Sequence, residues 1–173
     1  LISRSQQEDA AAFSLLVSTF QPLVFRLAFR LLCDEDEAKD MVQETFVKVW
    51  LALGKYNGEC RFSTWIYKIT CNTCYDRLRS LYHSPLDNEA DYSVSVNISS
   101  DDNVELAVVN KQLRELILRY TDELSPRQRL IFTLRDIEEL DVPEVQTITG
   151  LSAGIIKTTL YLARKNIRNK MNQ

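Results

Sequence analysis

Three observations predict an all-α fold. Glycine and proline are scarce, four of each in 173 residues, too few for the turns of a strand-rich chain. Apolar residues recur every three or four positions over long stretches. Those stretches open on residues whose side chains cap helices, such as Asp9, Ser125, Asp141 and Ser152. A composition of 45% hydrophobic and 26% charged residues suits one folded domain or two small ones.

Asp9 can cap a first helix carrying Phe13, Leu16, Val17 and Phe20. Pro22 is expected to open a second, in which Leu23, Leu27 and Leu31 recur, because proline fits a helix's first turn. A third helix starts near Asp34 and runs to about Leu53. Its stripe is Ala38, Met41, Val42, Phe46, Val49 and Leu53. Gly54, Asn57 and Gly58 break the chain into a loop. Ser63 is then expected to cap a fourth helix, with Trp65, Ile66, Ile69, Thr73 and Leu78 at helical spacing.

Residues 84–103 are rich in Ser, Asn and Asp and have no apolar period. They are predicted to be a flexible acidic linker between two small helical domains, residues 1–83 and 104–173. The second domain should open with a long helix to about residue 120. Ser125-Pro126 caps the next, carrying Leu130, Ile131 and Leu134. Asp141 and Glu144, three apart, form a capping box for a short helix that ends at Gly150. Ser152 caps the last, with Ile156, Leu160, Ala163 and Ile167 on one face.

The net charge of −3 hides an uneven distribution. Residues 1–83 carry ten basic and ten acidic groups. Residues 84–107 carry six acidic groups and no basic one. From Lys157 onward there are only cations: Lys157, Arg164, Lys165, Arg168 and Lys170. A neutral average therefore does not argue against nucleic-acid binding, which depends on local cations facing phosphates. No uninterrupted apolar run approaches the ~20 residues of a membrane span, and no signal-peptide pattern is visible. No membrane insertion and a cytoplasmic location are expected.

Of the four cysteines, Cys71 and Cys74 form a C-x-x-C inside a helical stretch. With Cys60 and the only histidine, His83, they could be imagined around zinc. The favoured reading is reduced thiols used as small apolar residues, so no metal and no cofactor are expected. An enzyme finds no support: there is one histidine, no Gly-rich phosphate loop and no paired-carboxylate site.

The short helix, the Gly150 turn and the last helix make a helix-turn-helix. Packing Val145 and Ile148 against Leu151, Ile156 and Leu160 leaves the other face of the last helix outward, as a major-groove reader requires. A structural helical hairpin has the same pattern, but the acid-free basic end favours DNA.

Leu124-Ser-Pro-Arg-Gln-Arg-Leu-Ile-Phe-Thr-Leu-Arg135, followed by residues 145–164, resembles the promoter-binding C-terminal domain of bacterial sigma factors. LuxR-type regulators would share that much. Glu37-Ala-Lys-Asp-Met-Val-Gln-Glu-Thr-Phe46 and Val47-Lys48-Val49-Trp50 resemble the sigma helix that binds core polymerase. Phe62-Ser-Thr-Trp-Ile-Tyr-Lys-Ile-Thr-Cys-Asn72, with Asp76 and Arg77-Leu-Arg79, is similar to the helix that reads the minus-ten element. The short linker is that of the extracytoplasmic-function (ECF) subfamily. The resemblance covers about residues 8–170.

It implies a transcription-initiation subunit whose partners are core RNA polymerase, through the β′ coiled-coil and the β flap, promoter DNA and an anti-sigma factor. Asp40, Gln43, Glu44, Phe46 and Lys48 would bind polymerase. Arg61, Trp65, Lys68, Asn72, Arg77 and Arg79 would engage the minus-ten element, with the loop 57–62 capturing a flipped base. Ser152, Gly154, Lys157, Thr158, Thr159, Tyr161 and Arg164 would engage the minus-thirty-five element. The last helix departs from the family in having Thr159 and Leu162 where basic residues are usual. The linker would run near the RNA exit path. A stand-alone helix-turn-helix regulator is the alternative reading.

Overall fold

The computed structural model describes residues 2–7, 9–82, 115, 119–121 and 123–172. The expected linker and most of the helix predicted before residue 120 lie outside the described residues. The described residues contain helices and turns but no strand.

Helix α1 (Ile2–Ser5) precedes α2 (Ala10–Leu32), which Asp9 caps by accepting the Ala12 N–H at 3.0 Å. Two separate helices were expected here, but α2 runs unbroken through Pro22. An interior proline costs roughly 3 kcal/mol and removes one hydrogen bond. Burial on both sides of it, at Leu16 and at Val24, Leu27, Ala28 and Leu31, holds the helix together. One turn earlier the Ser18 and Thr19 hydroxyls donate to the Ser14 and Leu15 carbonyls. Although α2 is long and apolar enough to span a bilayer by length and composition, that face is spent on α3 and α4.

Asp34 caps α3 (Glu35–Ala52), which ends in a 3-10 turn, Leu53–Lys55. Next comes α4 (Phe62–Leu81). Ser63 does not cap it; the capping position is Arg61, whose side chain makes no cap bond. Helices α2, α3 and α4 enclose a core of Leu16, Val24, Val42, Phe46, Val49, Leu53, Phe62 and Ile66.

In the C-terminal domain a Ser125–Gln128 capping box opens α5 (Pro126–Phe132), which runs into a π-helical turn, Thr133–Ile137. The expected Asp141–Glu144 box opens α6 (Val142–Thr149), and α7 (Ala153–Met171) follows from Ser152.

The two domains share one core. Leu27, Leu31, Cys71, Cys74 and Leu78 join Ile131, Leu134, Val145, Ile148 and Ile156 in a single buried cluster, with α6 lying on α4. Polar bridges cross the same seam. Glu138, its side chain only 5% exposed, accepts from Arg30 of α2 and, at 2.8 Å, from the Tyr67 hydroxyl of α4. Arg26 stands 4.0 Å away. Buried Arg129 donates to the Leu31 carbonyl at 3.3 Å and to the Thr121 carbonyl at 2.9 Å.

Candidate nucleic-acid interface

Gly150 makes the turn of the helix-turn-helix. It sits at φ 72°, a left-handed conformation that costs glycine little, and its N–H closes α6 on the Gln146 carbonyl at 2.8 Å. Ser152 restarts the chain by accepting the Ile155 N–H. Val145 and Ile148 of α6 and Ile156, Leu160 and Ala163 of α7 are buried, so α7 has an inward and an outward face.

Ser152, Gly154, Lys157, Thr158 and Tyr161 are exposed. Thr159 is a correction: at 9% exposure it faces inward, three residues after Ile156 and four before Ala163, and cannot reach a groove while α7 stays packed. Arg164 is exposed but held. Its Nε and Nη2 donate to the two Asp136 oxygens at 2.8 and 2.6 Å, a bond that raises the guanidinium's pKa further. Beside it lies an open cleft of ≈ 650 Å³, bordered by Arg135, Lys157, Tyr161, Lys165 and Arg168. Lys157, Lys165 and Arg168 make no ion pair among the described residues, so their charge is available to an anionic partner.

On α4, Lys68, Asn72, Asp76 and Arg79 form one exposed strip at helical spacing. Arg61 is exposed where the helix begins. Trp65 is half-buried, its ring centroid 5.2 Å from that of Tyr56 and 5.4 Å from that of Phe62. Part of its surface thus supports the loop and part is open. Arg77 is committed elsewhere: its Nε donates to Glu37 Oε2 at 2.6 Å, tying α4 to α3, and that bond raises the guanidinium's pKa further.

On α3, Asp40, Gln43 and Glu44 are exposed along one strip. Lys48 bridges behind them, 2.7 Å from Glu44 Oε1 and 3.2 Å from the Thr73 hydroxyl. Phe46 is a second correction: at 6% exposure it belongs to the core and cannot touch a partner directly. Val47 and Leu51, 59% and 75% exposed, continue the strip and were missed. The signal was present, since 40, 43, 44, 47 and 51 share a helical face, but only the polar residues of that face were taken as contacts.

Cys71 and Cys74 are buried, and burial pushes both thiols up, Cys74 to about 12. In the absence of a metal they therefore stay neutral. Cys60 precedes the first turn of α4, and Phe62 and Cys71 lie about 14 Å apart along the axis at 1.5 Å per residue, too far for a shared tetrahedral metal. Among the described residues no three potential ligands cluster. His83 lies outside the described residues.

Two family models match the chain: Sigma-70 region 2 over residues 16–83 and Sigma-70, region 4 over residues 114–167. Among curated relatives, the "ECF RNA polymerase sigma-E factor" of Salmonella typhimurium is 30% identical, over 99% of this chain and 92% of its own. The protein of that name from Escherichia coli K12 has the same identity and coverage. The "RNA polymerase sigma-H factor" of Pseudomonas aeruginosa is 28% identical over 96% and 90%. Among solved structures, CnrH in complex with the cytosolic domain of CnrY superposes with a TM-score of 0.68 at 19% identity, covering 99% of this chain and 94% of that one. The sigma factor RpoE in complex with the anti-sigma factor NepR, from Bartonella quintana, gives 0.65 at 20%, covering 93% and 97%.

Proposed function

The chain belongs to the ECF sigma factors, and on that premise we propose that it binds core RNA polymerase, carries it to promoter DNA and performs no chemical step itself. One observation carries the reading: a single chain presents three unlike outward strips. One is acidic, on α3; one mixes cations with an amide, on α4; one belongs to a helix-turn-helix. A stand-alone regulator needs only the last.

Asp40, Gln43 and Glu44 dock on the β′ coiled-coil, with Lys48 positioning Glu44 and Phe46 supporting the helix from below. Arg61, Lys68, Asn72 and Arg79 engage the minus-ten element. Cations hold the backbone there while Asn72 reads a base edge and the open part of Trp65 offers a stacking surface. Arg77 acts by holding α4 on α3. The C-terminal domain takes the minus-thirty-five element and the β flap, through Ser152, Gly154, Lys157, Thr158 and Tyr161. Arg164 becomes a phosphate contact when it exchanges Asp136 for DNA. The domains occupy residues 1–83 and 104–173, joined by 84–103. The complex of the Bartonella quintana sigma factor with the anti-sigma factor NepR supports an anti-sigma factor as a further partner, and polymerase binding implies work in the cytoplasm.

Tagged chain mixed with purified core polymerase tests the reading. Stoichiometric co-elution supports it. Promoter binding by the chain alone, with no association to core, would favour the regulator.

A further inference from the structure

The outward side of α7 carries exposed apolar groups among its polar ones. Ile155 is 44% exposed, Tyr161 66% and Leu162 42%, and Thr158 is exposed between them. Ile155, Thr158 and Leu162 stand at i, i+3 and i+7, so they share one strip of the helix. Single exposed apolar residues need no explanation, but Ile155 and Leu162 share a strip with the methyl-bearing Thr158, which makes the strip a candidate contact surface.

Gly154 is a second, independent sign of that contact. It lies in the first turn of α7. Nothing among the described residues requires it. A Cβ built there meets no atom within 4 Å, and its φ is not in the left-handed region. A bare backbone on the outward side of a helix's first turn allows another molecule to come close.

The occupant follows from the surroundings. Lys157 and Arg168 flank the strip on one side and Lys165 follows it, so the partner is apolar where it meets the strip and anionic beside it. Major-groove DNA has that pattern, because phosphates border the groove and thymine alone presents a methyl group to its floor. The strip spans seven residues of rise, about 10 Å, or three base-pair steps.

We propose that Ile155, Thr158 and Leu162 specify the minus-thirty-five element by packing on thymine methyls over about three successive base pairs. Gly154 lets the helix start close to the base edges. Leu162 thus replaces hydrogen-bond readout with apolar contact to a base edge at a position where the family usually places a cation. The inference rests on the assignment of α7 to the minus-thirty-five element and deepens it.

Holoenzyme reconstituted from core polymerase and the full chain should select, from promoters randomised in the minus-thirty-five region, two or three adjacent A·T pairs with thymine on a defined strand. Replacing each selected thymine by deoxyuridine removes only the methyl. Each replacement should weaken binding about fourfold, the worth of one buried methyl-sized group. Leu162→Ala should erase the sensitivity at one position and leave the others. Since Leu162 is exposed, folding is not at stake, and unchanged melting of the variant checks this. Selected sites without thymine, or deoxyuridine without effect, overturn the proposal while leaving the sigma-factor reading intact. So does a Leu162→Ala holoenzyme with unchanged DNA response but weaker assembly with core, which would make the strip a protein-docking face. A chain that supports initiation on no promoter sinks both.

Discussion

The hydroxyl of Tyr67 donates a 2.8 Å hydrogen bond to Oε2 of Glu138, joining the middle of α4 to the C-terminal domain across 71 residues of sequence. The same carboxylate takes Arg30, so one buried acid ties both α2 and α4 of the first domain to the second. Minus-ten and minus-thirty-five elements are about 25 base pairs apart, about 85 Å along B-DNA. A compact chain of this length has a radius of gyration of only about 16 Å. The seam around Glu138 must therefore open for both elements to be engaged by one molecule.

Removing the acid should loosen that seam. Glu138→Ala strands Arg30 beside an apolar cluster, and we expect a loss of about 2–3 kcal/mol. That lies below the usual cost of breaking a buried pair, because Arg30 is 22% exposed. Tyr67→Phe removes one bond and should cost about 1 kcal/mol. Urea melts measure both. Alkylation of Cys71, buried in the shared core, should be faster in Glu138→Ala than in the wild type. Equal rates would mean that other contacts close the domains.

Alkali should open the same region. Burial first, then the bond to Glu138, raises the Tyr67 phenol from 10 to about 12, and burial raises the Cys74 thiol from 9 to about 12. Folding thus favours the protonated forms. The stability they contribute is complete below about pH 9 and is lost as pH rises toward 12, at no more than about 1.4 kcal/mol per pH unit for each group. Cys74→Ala should flatten the slope that begins near pH 9, and Tyr67→Phe the part above pH 10. Identical alkaline limbs in all three proteins would contradict the burial assigned to these groups.

The α3 strip should be separable from the fold. Asp40, Gln43 and Glu44 replaced together by Ala should shift stability by about 0.5 kcal/mol or less, as exposed positions do. Competition with a labelled sigma factor for core polymerase should nevertheless fail. Val47→Ala should weaken the same competition, because it extends the strip. A triple variant that competes fully would remove α3 from the interface.

On α4, Asn72→Ala should change which minus-ten sequence is used, since an amide at a base edge is worth about 1–3 kcal/mol of discrimination. Lys157→Ala should instead weaken minus-thirty-five binding alike for all sequences and lower the salt slope by about one unit. Arg79→Ala should weaken minus-ten binding more than Arg77→Ala. The latter should cost stability instead, about 0.5–1 kcal/mol, through the lost Glu37 contact. Matched promoter variants at two salt concentrations distinguish these patterns.

Local chemistry was readable from the residues. Asp9, Ser125, Asp141 and Ser152 cap the helices as their side chains predict, although Ser63 does not, and Gly150 turns where a left-handed residue is needed. What escaped depends on tertiary packing. Pro22 lies inside α2 because both halves of that helix are buried by neighbours distant in sequence. Thr159 turned inward because α7 packs with Ile156, Thr159, Leu160 and Ala163 together, a wider face than the four-residue stripe suggested. The pairing of Glu138 with Arg30 spans 108 residues, and nothing local to either residue announces it.

Run-off transcription tests the central claim most directly. Core polymerase, with and without the chain, is offered a promoter library under conditions where core alone starts nowhere specific. Defined transcripts that require the chain, and that vanish with the Asp40/Gln43/Glu44 triple Ala variant, are the predicted result. Unchanged transcript patterns with and without the chain would contradict it.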